Sequence, residues 1–303
     1  MNTKINSPGP LIILVLALLS ACASTNSDEL EGEPYSPPGE EQADSIGFYL
    51  AQISKAINGW NRTKLEARNE EDKRRVRTFE RTIQRMARLR VGDLLIELES
   101  GPPANRRISA VALGFTGMEE ALSPLLSALE DPDPLVVSEA LLGLGLLQLP
   151  ETPLAQICHL LRRDPDNYTR NNAAYAMQRI LLSGGADPCT VQSARDALLD
   201  SESAVRAKAA LILYLVRDTD SITALGDLLY DEEGVVAAAA STSLARLGAD
   251  KIYTGSVARL MVAALDRVHP THRNFVLNEL RRLHKKDLGE ESEPWRDWAY
   301  RLP

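Results

Sequence analysis

Aromatic side chains are scarce in this sequence, at 5% of 303 residues, and there are only four histidines and three cysteines. Few aromatics means few stacking platforms for bases, which weakens any nucleic-acid reading. Among His159, His269, His272 and His284, only His269 and His272 lie close together. Pro270 stands between them, and no carboxylate or cysteine follows at the spacing of a tetrahedral site, so no metal is expected. No glycine-rich loop joins a strand to a helix, so no nucleotide cradle is visible. No serine lies in a nucleophile elbow, and no segment brings an acid, a base and a nucleophile together. Neither catalytic residues nor a cofactor are therefore expected. Positive charge is also in deficit: 34 Lys and Arg face 42 Asp and Glu, a net charge of −8. An acidic surface gains no counterion release from polyanions, which argues against general affinity for nucleic acid or anionic membranes.

The one strongly apolar run is Leu11 to Leu19, LIILVLALL. It is too short for a bilayer span, which takes about 20 residues, and has the length of a signal-peptide core. Directly after it, Leu19-Ser20-Ala21-Cys22 resembles the lipobox of bacterial lipoproteins. That resemblance implies a signal peptide over 1–21 and acylation of Cys22, which would tether the mature chain to a membrane outside the cytoplasm. Ala23 follows where many inner-membrane lipoproteins carry aspartate, which leans towards the outer membrane, facing the periplasm or the surface. Residues 22–43 are rich in Ser, Pro, Gly and Glu and contain no basic residue, the composition of a flexible acidic linker.

A helical hairpin is expected over 44–90. Ile46, Leu50, Ile53 and Ile57 form one stripe of a helix that should stop at Asn58-Gly59. A longer helix should begin near Asn61, supported by the i, i+4 pairs Glu70–Arg74 and Glu71–Arg75 and continued by a stripe at Val76, Phe79, Ile83 and Met86. This arm carries Lys73, Arg74, Arg75, Arg77, Arg81, Arg85, Arg88 and Arg90. A phosphate-binding role and a solvated face partly neutralised by the acidic linker are both open.

Internal repetition is the strongest pattern. DPDPLVVSEALLGLG from Asp131, DPDNYTRNNAAYAMQ from Asp164, DSESAVRAKAALILY from Asp200 and DEEGVVAAAASTSLA from Asp231 are copies of one unit. Each unit reads as a first helix ending at the aspartate, a tight turn, and a second helix opening near Val136, Thr169, Val205 or Val236. A fainter copy, NRRISAVALG, starts at Asn105, and another helix pair is expected from Tyr253 to Leu283. These units resemble HEAT repeats of the bacterial HEAT-like type. The resemblance implies an all-α, right-handed α-solenoid over 91–285, preceded by the hairpin. Ala140, Ala173, Ala209 and Ala240 suit close approach of neighbouring helices.

In that family the turn aspartate and an arginine six positions on form a ladder between adjacent repeats. Asp164 with Arg170 and Asp200 with Arg206 match the spacing, whereas Val137 and Ala237 interrupt it. The tail over 286–303, with Trp295 and Trp298, is expected to cap the last apolar face. Cys158 and Cys189 sit six and eleven residues before their turn aspartates. That offset, added to the separation of packed helices, speaks against a disulfide unless SGGADP before Cys189 shifts the register.

The resemblance also implies that second helices line the concave face and hold extended partners. Positions seven, eleven and fourteen after each aspartate give Ser138, Leu142, Gly145; Asn171, Tyr175, Gln178; Ala207, Leu211, Tyr214; and Ala238, Thr242, Ala245. A stripe so small and neutral suits a protein or peptide, with Asn171, Tyr175, Gln178 and Tyr214 as contacts. Alternatively, Leu142 and Leu211 belong to the core and only the polar members are exposed. The expected function is a membrane-tethered, non-enzymatic scaffold or adaptor in the cell envelope. The rival is an accessory factor acting on a bound substrate in a lyase-like or processing role.

Overall fold

A computed structural model describes residues 45–303; the expected signal peptide, its lipidation site Cys22 and the expected acidic linker lie outside the described residues. All regular structure among the described residues is helical. The chain opens with α1 (Ile46–Glu66) and α2 (Glu70–Leu89). Six helix pairs follow. They are α3 (Val91–Ser100) with α4 (Pro103–Gly114), α5 (Leu122–Ser127) with α6 (Pro134–Leu147), and α7 (Ala155–Arg163) with α8 (Asn167–Leu182). Then come α9 (Cys189–Ala197) with α10 (Ser203–Leu215), α11 (Ile222–Asp227) with α12 (Gly234–Leu247), and α13 (Lys251–Ala264) with α14 (Pro270–His284). A short α15 (Ser292–Tyr300) closes the chain.

The second helices α4, α6, α8, α10, α12 and α14 pack one on the next, and each also packs on its own first helix. Val136, Thr169, Val205 and Val236 each occupy the third position of a second helix and are almost wholly buried. Small residues set the spacing of these helices. A Cβ on Gly143 of α6 would come 2.4 Å from the Ala110 carbonyl oxygen of α4, so the two backbones meet with no room for a side chain. Ala140, Ala173, Ala209 and Ala240 are fully buried.

The hairpin differs from its sequence reading. α1 does not stop at Asn58-Gly59 but runs through to Glu66, because Gly59 is a packing residue: a Cβ there would come 2.7 Å from the Phe79 ring of α2. In sequence Asn58-Gly59 signals a helix stop, but close approach of two helices is the stronger demand at Gly59. The second helix accordingly begins at Glu70 and not near Asn61. Asn69 caps it, accepting from the Asp72 amide, while the Asp72 carboxylate accepts in return from the Asn69 amide. Glu70 pairs with Lys73 at 2.6 Å, one residue nearer than the expected Arg74.

At the other end, α15 packs on α13. Trp295 is fully buried, its indole N–H donating to the Gly289 carbonyl at 3.0 Å, with Trp298 set edge-on to it at 6.0 Å between ring centroids. Arg259 of α13 holds the chain end by donating to the Leu302 carbonyl.

Cys158 of α7 and Cys189 of α9 form a disulfide, with Cα atoms 6.2 Å apart. The offset counted from the turn aspartates does not keep the two cysteines apart, for two reasons. Residues facing each other across two packed helices lie nearer than the axes by two backbone radii, roughly 5 Å in all. In addition, α9 ends at Ala197 and the chain turns through Leu198 and Leu199 before Asp200, whereas α7 runs to Arg163 beside Asp164. Counting back from the aspartates therefore overstates the axial offset.

Candidate functional site

Two layers of polar contacts run along the array, one at the turns and one on the second helices. At the turns, each arginine reaches forward to the aspartate of the following repeat. Arg170 clamps Asp200 with Nε and Nη2 at 2.7 and 2.9 Å, and Arg206 clamps Asp231 at 2.8 and 2.9 Å. The remaining guanidinium nitrogen donates backwards, from Arg170 to the Asp164 carbonyl and from Arg206 to the Asp200 carbonyl. The spacing of six therefore marks a backbone contact within one repeat, and the ion pair joins two repeats. Arg106 makes the same clamp on Asp131 at 2.7 and 2.9 Å, a rung hidden in the sequence because its own repeat has no turn aspartate. Each of these aspartates also accepts the amide two residues on, which fixes the turn before the next helix. Burial would push the Asp131 and Asp231 carboxyls up, but the paired arginines and the turn amides outweigh it and hold both below the usual carboxylate range.

The second layer joins neighbouring second helices. Asn172 of α8 donates to the Ser138 hydroxyl and carbonyl of α6, each at 3.0 Å. Lys208 of α10, 2% exposed, donates to Asn171 of α8 at 2.6 Å. Burial lowers the Lys208 ammonium to about 8, against a weaker opposing pull from Glu202. Thr242 of α12 reaches Glu279 of α14 at 3.3 Å. Asn171, expected as a partner contact, is thus already engaged in holding two helices together.

Tyr175 is engaged as well. Its ring lies over Gly145 of α6, where a Cβ would come within 2.7 Å. From the hairpin, the Lys64 ammonium sits 5.9 Å from the Tyr175 ring centroid and 4.3 Å from that of Trp60. Trp60 donates to Glu80 at 3.1 Å and meets Phe115 edge-on. Burial pushes the Tyr175 phenol up and lowers Lys64 to about 8, with Glu80 opposing and Arg179 adding to the second shift. α1 therefore lies over the N-terminal second helices, from α4 across to α8.

Gln178 and Tyr214 are left. Both are partly exposed, and neither side chain has a polar or ring partner among the described residues. Leu142 and Leu211 are partly buried against the core, so the stripe is a mixture of packing and accessible surface. No group of three or more His, Cys, Asp or Glu that could hold a metal occurs among the described residues; His269 and His272 stand 5.3 Å apart between ring centroids.

Two overlapping stretches, residues 92–178 and 154–245, match the model of HEAT repeats, and together they span just over half of the chain. The chain belongs to the HEAT repeat family. No curated protein matches it. Among solved structures it is similar to an engineered protein from the Northeast Structural Genomics Consortium at 16% identity and a TM-score of 0.51, with 84% of this chain and 79% of the other covered. A second engineered protein from that consortium matches at 17% identity and a TM-score of 0.48, over 69% of this chain and 96% of the other. The complex of CpcE and CpcF of phycocyanin lyase from Nostoc sp. PCC7120 matches at 17% identity and a TM-score of 0.39, over 93% and 100%. At these identities the likeness concerns the fold alone.

Proposed function

We propose that this chain is a lipid-anchored, non-enzymatic scaffold of the bacterial envelope, in the outer membrane, which holds a protein or peptide partner against the inner surface of α8, α10 and α12. The observation that carries the reading is the HEAT-repeat array whose second helices keep Gln178 and Tyr214 partly exposed and without a polar or ring partner among the described residues. The Cys158–Cys189 disulfide supports an oxidising compartment. Cys22 in its lipobox-like setting supports the anchor, and Ala23 supports the outer membrane.

Two measurements test these parts separately. Cys22→Ser is expected to abolish metabolic palmitate labelling, since that thiol is the acyl acceptor; equal label in the variant and the parent would remove the anchor. Tyr214→Ala is expected to weaken partner capture from envelope extract by about 2 kcal/mol, the scale of a lost anchoring aromatic, with helicity unchanged. Charge reversal at Arg81 and Arg85 is the matched control. Capture lost in that control and intact in Tyr214→Ala would move the binding surface to the hairpin.

A further inference from the structure

α2 presents one face that the scaffold reading does not use. Arg74, Arg77, Arg81, Arg85 and Arg88 are all exposed. At 100° per residue they fall within ~80° of one another, in a row about 21 Å long. Among the described residues no carboxylate pairs with Arg74, Arg77, Arg81 or Arg85; Arg88 donates from Nε to the Thr116 carbonyl. Of the acidic residues of this helix, Glu71 and Asp72 in the first turn and Glu80 beneath Trp60 lie off this face, and only Glu70, already paired with Lys73, stands on it, at its N-terminal end near Arg74. A row of five guanidiniums, none of them in an ion pair among the described residues, costs self-repulsion, which an anion would relieve.

The chemistry of that anion is set by the same chain. Residues 28–44 hold Asp28, Glu29, Glu31, Glu33, Glu40, Glu41 and Asp44 with no basic residue. With Lys4 they account for −6 of the net −8, so the rest of the chain is nearly neutral. The junction is also in the right place. Tyr49 of α1 donates to the Met86 carbonyl at 2.5 Å, and the Arg90 guanidinium lies 4.9 Å from the Tyr49 ring centroid. The start of α1 is thereby fixed at the C-terminal end of α2, on the face that carries Met86 and Arg90, so residue 44 joins the fold level with the Arg85–Arg88 end of the row and the chain before it has to pass around α2 to reach the arginines. Seventeen residues reach up to about 55 Å when extended, more than twice the length of the row.

We infer that the arginine face of α2 is an anion-docking surface whose occupant is the acidic segment 28–44 of this chain. A single exposed pair contributes little, but seven carboxylates tethered beside five guanidiniums act as a network at high effective concentration. An anionic lipid surface fits less well, because the same acidic segment would be repelled by it and would compete for the arginines.

The test uses the full chain in nonionic detergent and a fluorescent peptide of residues 28–44. The peptide is expected to bind a chain whose seven carboxylates are exchanged for their amides at least about tenfold more tightly than it binds the parent, whose own segment competes at roughly millimolar effective concentration. Binding to the neutralised chain should disappear at high salt and in Arg81→Glu/Arg85→Glu. The separate pair Arg74→Glu/Arg77→Glu, checked for unchanged helicity, should weaken it likewise. Equal binding to parent and neutralised chains, or no binding to the neutralised one, would overturn the inference. So would selective retention of the parent by phosphatidylglycerol-doped micelles, lost in the same reversals, since a lipid would then be the occupant.

Discussion

Exchanging Cys158 and Cys189 together for serine is expected to lower unfolding stability by about 3 to 4 kcal/mol. The bond closes a loop of 31 residues, and the chain-entropy cost of leaving such a loop open in the unfolded state is of that order. The helices it joins explain why the loss should be felt. α7 and α9 have nine residues each, too few for an isolated helix to persist, and they depend on each other and on α8 and α10 for their position. Denaturant unfolding of the parent with and without reductant, beside the double-serine variant, measures the effect. Reduced parent and variant should coincide, both below the oxidised parent. Coincidence of all three curves would mean that packing alone holds the two helices in register.

The second large effect is expected at the turns. Arg170→Ala removes two charge-assisted bonds to Asp200 and two bonds to the carbonyls of Asp164 and Pro165. The side chains of Arg170 and Asp200 are only 13% and 8% exposed, so the carboxylate is left with little water to replace its partner. A loss of about 3 kcal/mol follows. Arg162→Ala, which breaks the pair with Asp196 where both side chains are about two-fifths exposed, is the control and should cost less than about 1 kcal/mol. A double-mutant cycle over Arg170 and Asp200 isolates the rung; coupling no greater than that of Arg162 with Asp196 would show that the clamp is incidental. Acid adds an independent check through the other rungs. Asp131 and Asp231 ionise below their unfolded values, so their contribution is complete above about pH 4 and is lost as pH falls through the folded values. Arg106→Ala and Arg206→Ala should flatten that acid limb of the melting curve.

Repetition made the array readable, because the turn aspartates recur and the β-branched residues after them keep one register. What escaped was whatever depends on distance across the fold. Asp164 and Arg170 are six apart in sequence, but the acid that Arg170 clamps lies 30 residues on, in the next repeat. Gly59 carries the same signal whether it stops a helix or lets Phe79 approach, and only the facing helix decides between the two. Counting places the stripe on the second helices, yet it cannot show Lys64 arriving over Tyr175 from more than a hundred residues upstream, nor Lys208 taking up Asn171. Gln178 and Tyr214 were distinguishable from their neighbours only once those contacts were known.

The breaks in the turn ladder are as informative as its rungs. Val137 and Ala237 stand where arginines would tie α6 to the repeat of α8 and α12 to the repeat of α14, and between those breaks Arg170, Arg206 and the Cys158–Cys189 bond bind successive repeats. The stretch from α7 to α12 is therefore tied at its turns and by a covalent bond, while the two flanking joints rest on helix packing and on the Asn172–Ser138 and Thr242–Glu279 contacts. In the proposed scaffold, a segment settling on α8, α10 and α12 would meet helices already tied together at their turns, so the ordering entropy of association would fall mainly on the incoming chain.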